Sequence, residues 1–146
     1  MNAMDSPTFN SYSQLLDQTS RRVKQYAQNQ FKAQKFGLTV DQWIILKKMN
    51  ESQGLSQTEL GELIGKDAPT LTRIIDLLVQ KGFADRQSND KDRRKFHLYL
   101  TTAGAEIVQA LSPKIELIRQ KAWQNLDHED FEHFKKTLNT IYQNLA

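Results

Sequence analysis

The sequence contains no cysteine. Disulfides, thiolate metal sites and cysteine redox sensing are excluded together. No uninterrupted run of about 18 apolar residues occurs, so no membrane-spanning helix is expected. Residues 1–14 carry neither a basic start nor an apolar stretch and do not read as a signal peptide. Histidine is scarce, at positions 97, 128 and 133 only. His128 and His133 are five apart, on different helix faces, and form no i, i+4 metal pair. Glycine-rich phosphate loops, nucleophile elbows and paired-acid motifs are also missing. The reading is therefore of a protein that is no enzyme, has no resident cofactor or metal, and has no membrane partner.

What is present suits one domain. The chain has 146 residues, 38% hydrophobic and 25% charged, enough for a modest core but lean for a lone globule. The net charge is +3. A mild surplus of this kind is compatible with nucleic acid but weak by itself.

The informative stretch runs from Ser56 to Thr101. Ser56 and Glu59 have the spacing of a capping box. Leu60, Leu63 and Ile64 then predict one apolar helix face. Gly65 closes that helix, because glycine accepts the left-handed conformation of a C-terminal turn. Only Lys66 separates it from the next cap, Asp67, so the two helices must cross steeply. Pro69 falls in the first turn of the second helix, where a missing amide proton costs nothing. Leu71, Ile74, Ile75 and Leu78 follow the helical repeat and face inward. Thr70, Thr72 and Arg73 lie on the other face near the N-terminus. A recognition helix enters the major groove with that part. Arg73 can fork onto guanine, and the threonines can meet a thymine methyl or a phosphate. Alone, this pattern also fits an ordinary amphipathic helix with a solvated face.

The following residues shift the balance. Gly82 ends the second helix. Phe83 to Arg86 reads as a strand, Gln87 to Asp90 as a turn. Phe96, Leu98 and Leu100 alternate with His97, Tyr99 and Thr101, a half-buried strand with His97 on its outward side. Between Lys81 and Lys95 stand six basic residues against three acidic ones, a surplus equal to the net charge of the whole chain. A basic hairpin beside a helix-turn-helix is where phosphate or minor-groove contacts are expected.

Residues 57–104 resemble the MarR family of bacterial transcriptional regulators. The matching residues are Gln57, Glu59 and Leu60, then the run Pro69 to Asp76 with Leu78, Lys81-Gly82-Phe83, and Asp92-Arg93-Arg94 with Leu98, Leu100, Thr101 and Gly104. Upstream, Leu38-Thr39 and Gln42-Trp43 look like the start of the family's second helix. Gly61 departs from the family's usual alanine, and Ala84-Asp85 from a more apolar pair. The resemblance implies a mainly α fold with a small β-wing, a winged helix-turn-helix flanked by dimerisation helices. It implies a homodimer on double-stranded DNA at a pseudo-palindromic operator, acting as a ligand-responsive repressor in the bacterial cytoplasm, at the nucleoid. Thr70, Thr72, Arg73, Asp92, Arg93, Arg94 and Lys95 are the expected DNA-binding residues. Arg94 would enter the minor groove, with Asp92 holding it. Family members often bind small aromatic acids or other phenolics. Tyr26, Phe31, Phe36 and Trp43 could line such a site, though plain core packing accounts for them more simply. The alternative is a winged helix that binds protein and no DNA.

The flanks complete the layout. Residues 1–8 are expected to fray. A long amphipathic helix follows to about Phe36, with Arg21, Arg22 and Lys24 on its polar face. Gly37 breaks it. Thr39 and Gln42 form a second capping box before a helix that is apolar nearly all round and so belongs in the middle of the domain. After the wing, Thr101 or Thr102 starts another helix, with a kink or a fresh cap expected at Ser112-Pro113. Asp127 caps the last helix, whose Phe131, Phe134, Leu138, Ile141 and Leu145 form a seam that needs a partner. Residues 1–146 thus read as one unit, with about 9–36 and 102–146 for dimerisation and about 39–101 for DNA. Two-fold pairing would set the two reading helices about 34 Å apart.

Overall fold

The computed structural model describes residues 8–89 and 91–146, without the side chains of Asn89, Asp92, Arg93 and Arg94. In chain order the elements are α1 (Phe9–Ala33), α2 (Val40–Glu51), β1 (Leu55–Ser56), α3 (Gln57–Ile64), α4 (Ala68–Gln80), β2 (Ala84–Asn89), β3 (Asp92–Leu100), α5 (Thr102–Gln120), a 3-10 turn (Lys121–Trp123) and α6 (His128–Asn144). The chain is mainly helical with one small antiparallel sheet, ordered β1-β3-β2.

The centre is α2. Its Thr39–Gln42 box closes both ways, amide to side chain, at 3.1 and 3.0 Å. Val40, Trp43, Ile45, Leu46 and Met49 are buried, and α2 packs on α1, α3, α4, α5 and β3. A helix that is apolar all round has to be surrounded, and this one is. Leu60, Leu71, Ile75, Leu78 and Leu98 complete the core beneath the helix-turn-helix and wing. The turn between α3 and α4 forms as the residues dictate: Gly65 is left-handed at φ +69°, and Asp67 accepts from the Thr70 amide.

Several expectations need correction. Leu63 is 57% exposed, because so short a helix rests on the core only along its Leu60–Ile64 line. Ser56 accepts from the Glu59 amide at 3.0 Å, but the return half of that box is not made. The wing strands are longer than predicted. Gln87 to Asn89 belong to β2, and Asp92 to Lys95 belong to β3. Backbone pairing of Gln87 with His97 and Ser88 with Phe96 extends the ladder through polar residues, and the register shifts between Ser88 and Asn89. Asp90, expected in the turn, lies outside the described residues, as does most of the expected frayed start. His97 lies on the face of β3 opposite buried Leu98, as expected, but is partly covered there. Its Nδ1 donates to the Gly54 carbonyl at 2.8 Å, since β1, two residues long and unread in the sequence, lies against it. Ser112 caps nothing. α5 runs unbroken through Pro113, and the Ser112 hydroxyl donates to the Val108 carbonyl at 2.6 Å, one turn back.

Candidate nucleic-acid interface

The first turn of α4 sits on the surface, held there from three sides. Asp67 accepts from the Thr70 amide at 3.1 Å and from the Thr70 hydroxyl at 2.7 Å. Those two bonds hold the Asp67 carboxyl below its ordinary pKa, so it caps as an anion. Thr70 therefore spends its proton on the cap and keeps only acceptor capacity. Thr72 is the reverse case. Gln57, the first residue of α3, donates to the Thr72 hydroxyl oxygen at 2.7 Å, which leaves the Thr72 proton free to donate outward. Arg73 is exposed and has no hydrogen-bond or ion-pair partner among the described residues.

Arg86 of β2 ties the wing to this helix. It pairs with Asp76 at 2.5 Å and donates to the Thr72 carbonyl at 3.3 Å. A cation counted in the basic surplus is thus spent inside the protein. Sequence reading missed Arg86 and Gln57 as positioning residues. Nothing local signals a pairing ten residues apart across two elements.

Between α3, α4 and the wing lies an open groove of about 900 Å³. Gln57, Thr58, Thr72, Arg86, Lys95 and Phe96 are among its lining residues. Of the expected DNA contacts, Thr72 and Lys95 both line this groove, and Thr70 and Arg73 lie on the same first turns of α4. The side chains of Asp92, Arg93 and Arg94 lie outside the described residues. Among the described residues no three His, Cys, Asp or Glu converge as a metal site, and no helix is long and apolar enough to cross a membrane.

A second cleft, about 390 Å³, opens between α2 and α5. Trp43, Lys47, Ile115 and Arg119 are among its walls. Of the four aromatic residues considered for a ligand site, only Trp43 reaches it. Phe31 and Phe36 are core, packed edge to face at 5.2 Å, and Tyr26 is elsewhere, partly exposed.

Comparison with known proteins bears on the whole. The profile of the MarR family matches residues 38–96. The transcriptional repressor MprA of Escherichia coli (strain K12) is 26% identical over 114 residues, 78% of this chain. The chain spans only 65% of that repressor's length. S. aureus MepR in its DNA-binding conformation superposes with a TM-score of 0.78 at 25% identity, covering 92% of this chain and 98% of MepR. The S. aureus MepR–DNA complex gives a TM-score of 0.81 at 24% identity, covering 95% and 99%, a likeness of fold.

Proposed function

We propose that the chain, whose residues 38–96 match the MarR family profile, is a MarR-type, sequence-specific DNA-binding transcriptional regulator. It acts as a homodimer on a pseudo-palindromic operator, most simply as a ligand-released repressor, as the name of MprA and the DNA complex of MepR suggest. One observation carries this reading. The exposed start of α4 offers a free hydroxyl proton at Thr72 and a guanidinium at Arg73 that is unpaired among the described residues, with Lys95 lining the same open groove as Thr72. Those groups suit base edges and phosphates. Residues 39–101 would hold the DNA and the flanking helices would pair. Arg94 would enter the minor groove, set by Asp92, with Arg93 and Lys95 on phosphates and the Thr70 methyl toward a base.

The α2–α5 cleft suits a small aromatic acid, with Trp43 for the ring and Lys47 or Arg119 for the carboxylate. Binding there would act between the flanking helices and the reading region.

Selection of bound duplexes from random sequence, followed by a salt titration, tests the proposal. A dimer neutralising about six phosphates should lose about three orders of magnitude in affinity between about 50 and 200 mM salt. Two half-sites about one turn apart should emerge. Negligible affinity for every duplex at low salt would instead mark a module that binds protein.

A further inference from the structure

We propose that Asp41 is a positioning residue, setting the tilt of α4 against α1 and hence the half-site spacing that the paired molecule accepts. The inference rests on the function proposed above.

Asp41 stands in the first turn of α2 and joins two elements distant in sequence. Its Oδ1 lies 3.0 Å from Lys24 Nζ on α1 and 3.3 Å from Lys66 Nζ. Lys24 also donates to Oδ2 at 3.2 Å. Lys66 is the single residue between Gly65 and the α4 cap, so its tie to Asp41 acts one residue before the reading helix is capped. The link is well shielded at its centre, with side-chain exposures of 28% for Asp41 and 21% for Lys66. Burial disfavours charge on Asp41, but the hydrogen bond from Lys24 and the charges of Lys66 and Lys24 outweigh it and hold the carboxyl below its ordinary pKa.

The far end of α4 is tied to the same corner. Lys81 Nζ donates to the Gly37 carbonyl at 2.6 Å and to Gln42 Oε1 at 3.4 Å. α4 is about 20 Å long, yet residues 37–42 hold it at both ends. Those residues run from the α1–α2 loop into the first turn of α2. The hydrophobic effect beneath α4 is non-directional. The polar ties, directional and placed at the ends, are what choose one tilt.

A base pair inserted between half-sites moves one of them by about 3.4 Å and about 35°. A rigid pair of reading helices should penalise that insertion, and a loosened pair should penalise it less. The experiment uses the full chain and the duplex obtained by selection, with and without one inserted base pair, for the parent, Asp41→Asn and Lys66→Gln. The parent should discriminate by about tenfold, the scale of one mismatched pair. Each variant should discriminate by about threefold or less, and the double variant no worse than either alone, with pairing state and helical signal unchanged. Lys66→Gln decides the matter should Asp41→Asn not fold. Variants that discriminate as the parent does would overturn this inference alone. A parent that binds no duplex would overturn the proposed function and this inference with it.

Discussion

Gly104 illustrates how a single position can be fixed by a neighbour far along the chain. The Phe83 carbonyl accepts from the Thr101 amide at 3.1 Å, and the Thr101 hydroxyl donates to the Gly82 carbonyl at 2.6 Å. This draws the start of α5 onto the end of α4 so closely that a Cβ at Gly104 would lie far inside contact distance of the Phe83 carbonyl oxygen. Backbone blocks the space, so no rotamer change relieves it. Gly104→Ala should therefore destabilise the fold by about 3 kcal/mol, the upper range for overpacking. A denaturant midpoint unchanged from the parent would show that the α4–α5 junction yields. Arg73 poses the opposite test, being exposed and unpaired among the described residues. Arg73→Ala should leave stability within about 0.5 kcal/mol, yet cost about 1–3 kcal/mol of operator binding and relax base preference at one position per half-site. Equal loss on all duplexes would make it a phosphate contact.

At the scale of elements, helices were legible and the sheet was not fully so. Periodic apolar residues and local caps at Thr39, Ser56, Asp67 and Asp127 locate α2, α3, α4 and α6, because those signals act within four residues. Strand ends depend on a partner across the sheet. Hence β1 went unread, β2 and β3 were drawn too short, and the bond of His97 to Gly54 was not foreseen. Likewise, the candidate site residues on α4 could be picked by face, whereas Gln57 and Arg86 act across elements and could not. Pro113 shows a local rule overridden. It lacks the amide donor that an interior position uses, yet α5 continues through it. Val108, Leu111, Ile115 and Ile118 are buried on both sides of it, and that shared face holds the helix in one piece. The propensity cost remains, since interior proline is about 3 kcal/mol less favourable than alanine, partly offset by the stiffer unfolded chain. Pro113→Ala should raise stability by about 2 kcal/mol, read as a higher melting temperature. A lower one would mean that the proline ring's packing at the α2–α5 cleft matters more than the helix geometry.

Over the whole molecule, apolar surface is distributed unevenly. α6 has no buried residue in the single chain, though Trp123 meets Phe131 and Phe134 edge to face at 5.4 and 4.9 Å. Leu145 is 82% exposed, and Leu15 on α1 is 63% exposed. Burying one such side chain is worth about 1.5–3 kcal/mol, so a row of them at both ends of the chain strongly favours a second copy. The proposed pairing makes a demand that the core does not. Because Leu145 and Ile141 are both on the exposed side of the single chain, at 82% and 38%, charging them should separate the subunits without unfolding either. Ile141→Asp with Leu145→Asp should sediment as a single chain and keep its helical circular dichroism. Operator affinity should fall by about 100-fold or more, because the second half-site is no longer met at the high effective concentration that linkage supplies. A charged variant that stays paired would move the interface away from α6. One that becomes a single chain yet binds as tightly as the parent would mean that one reading head suffices, and the two-fold operator would have to be given up.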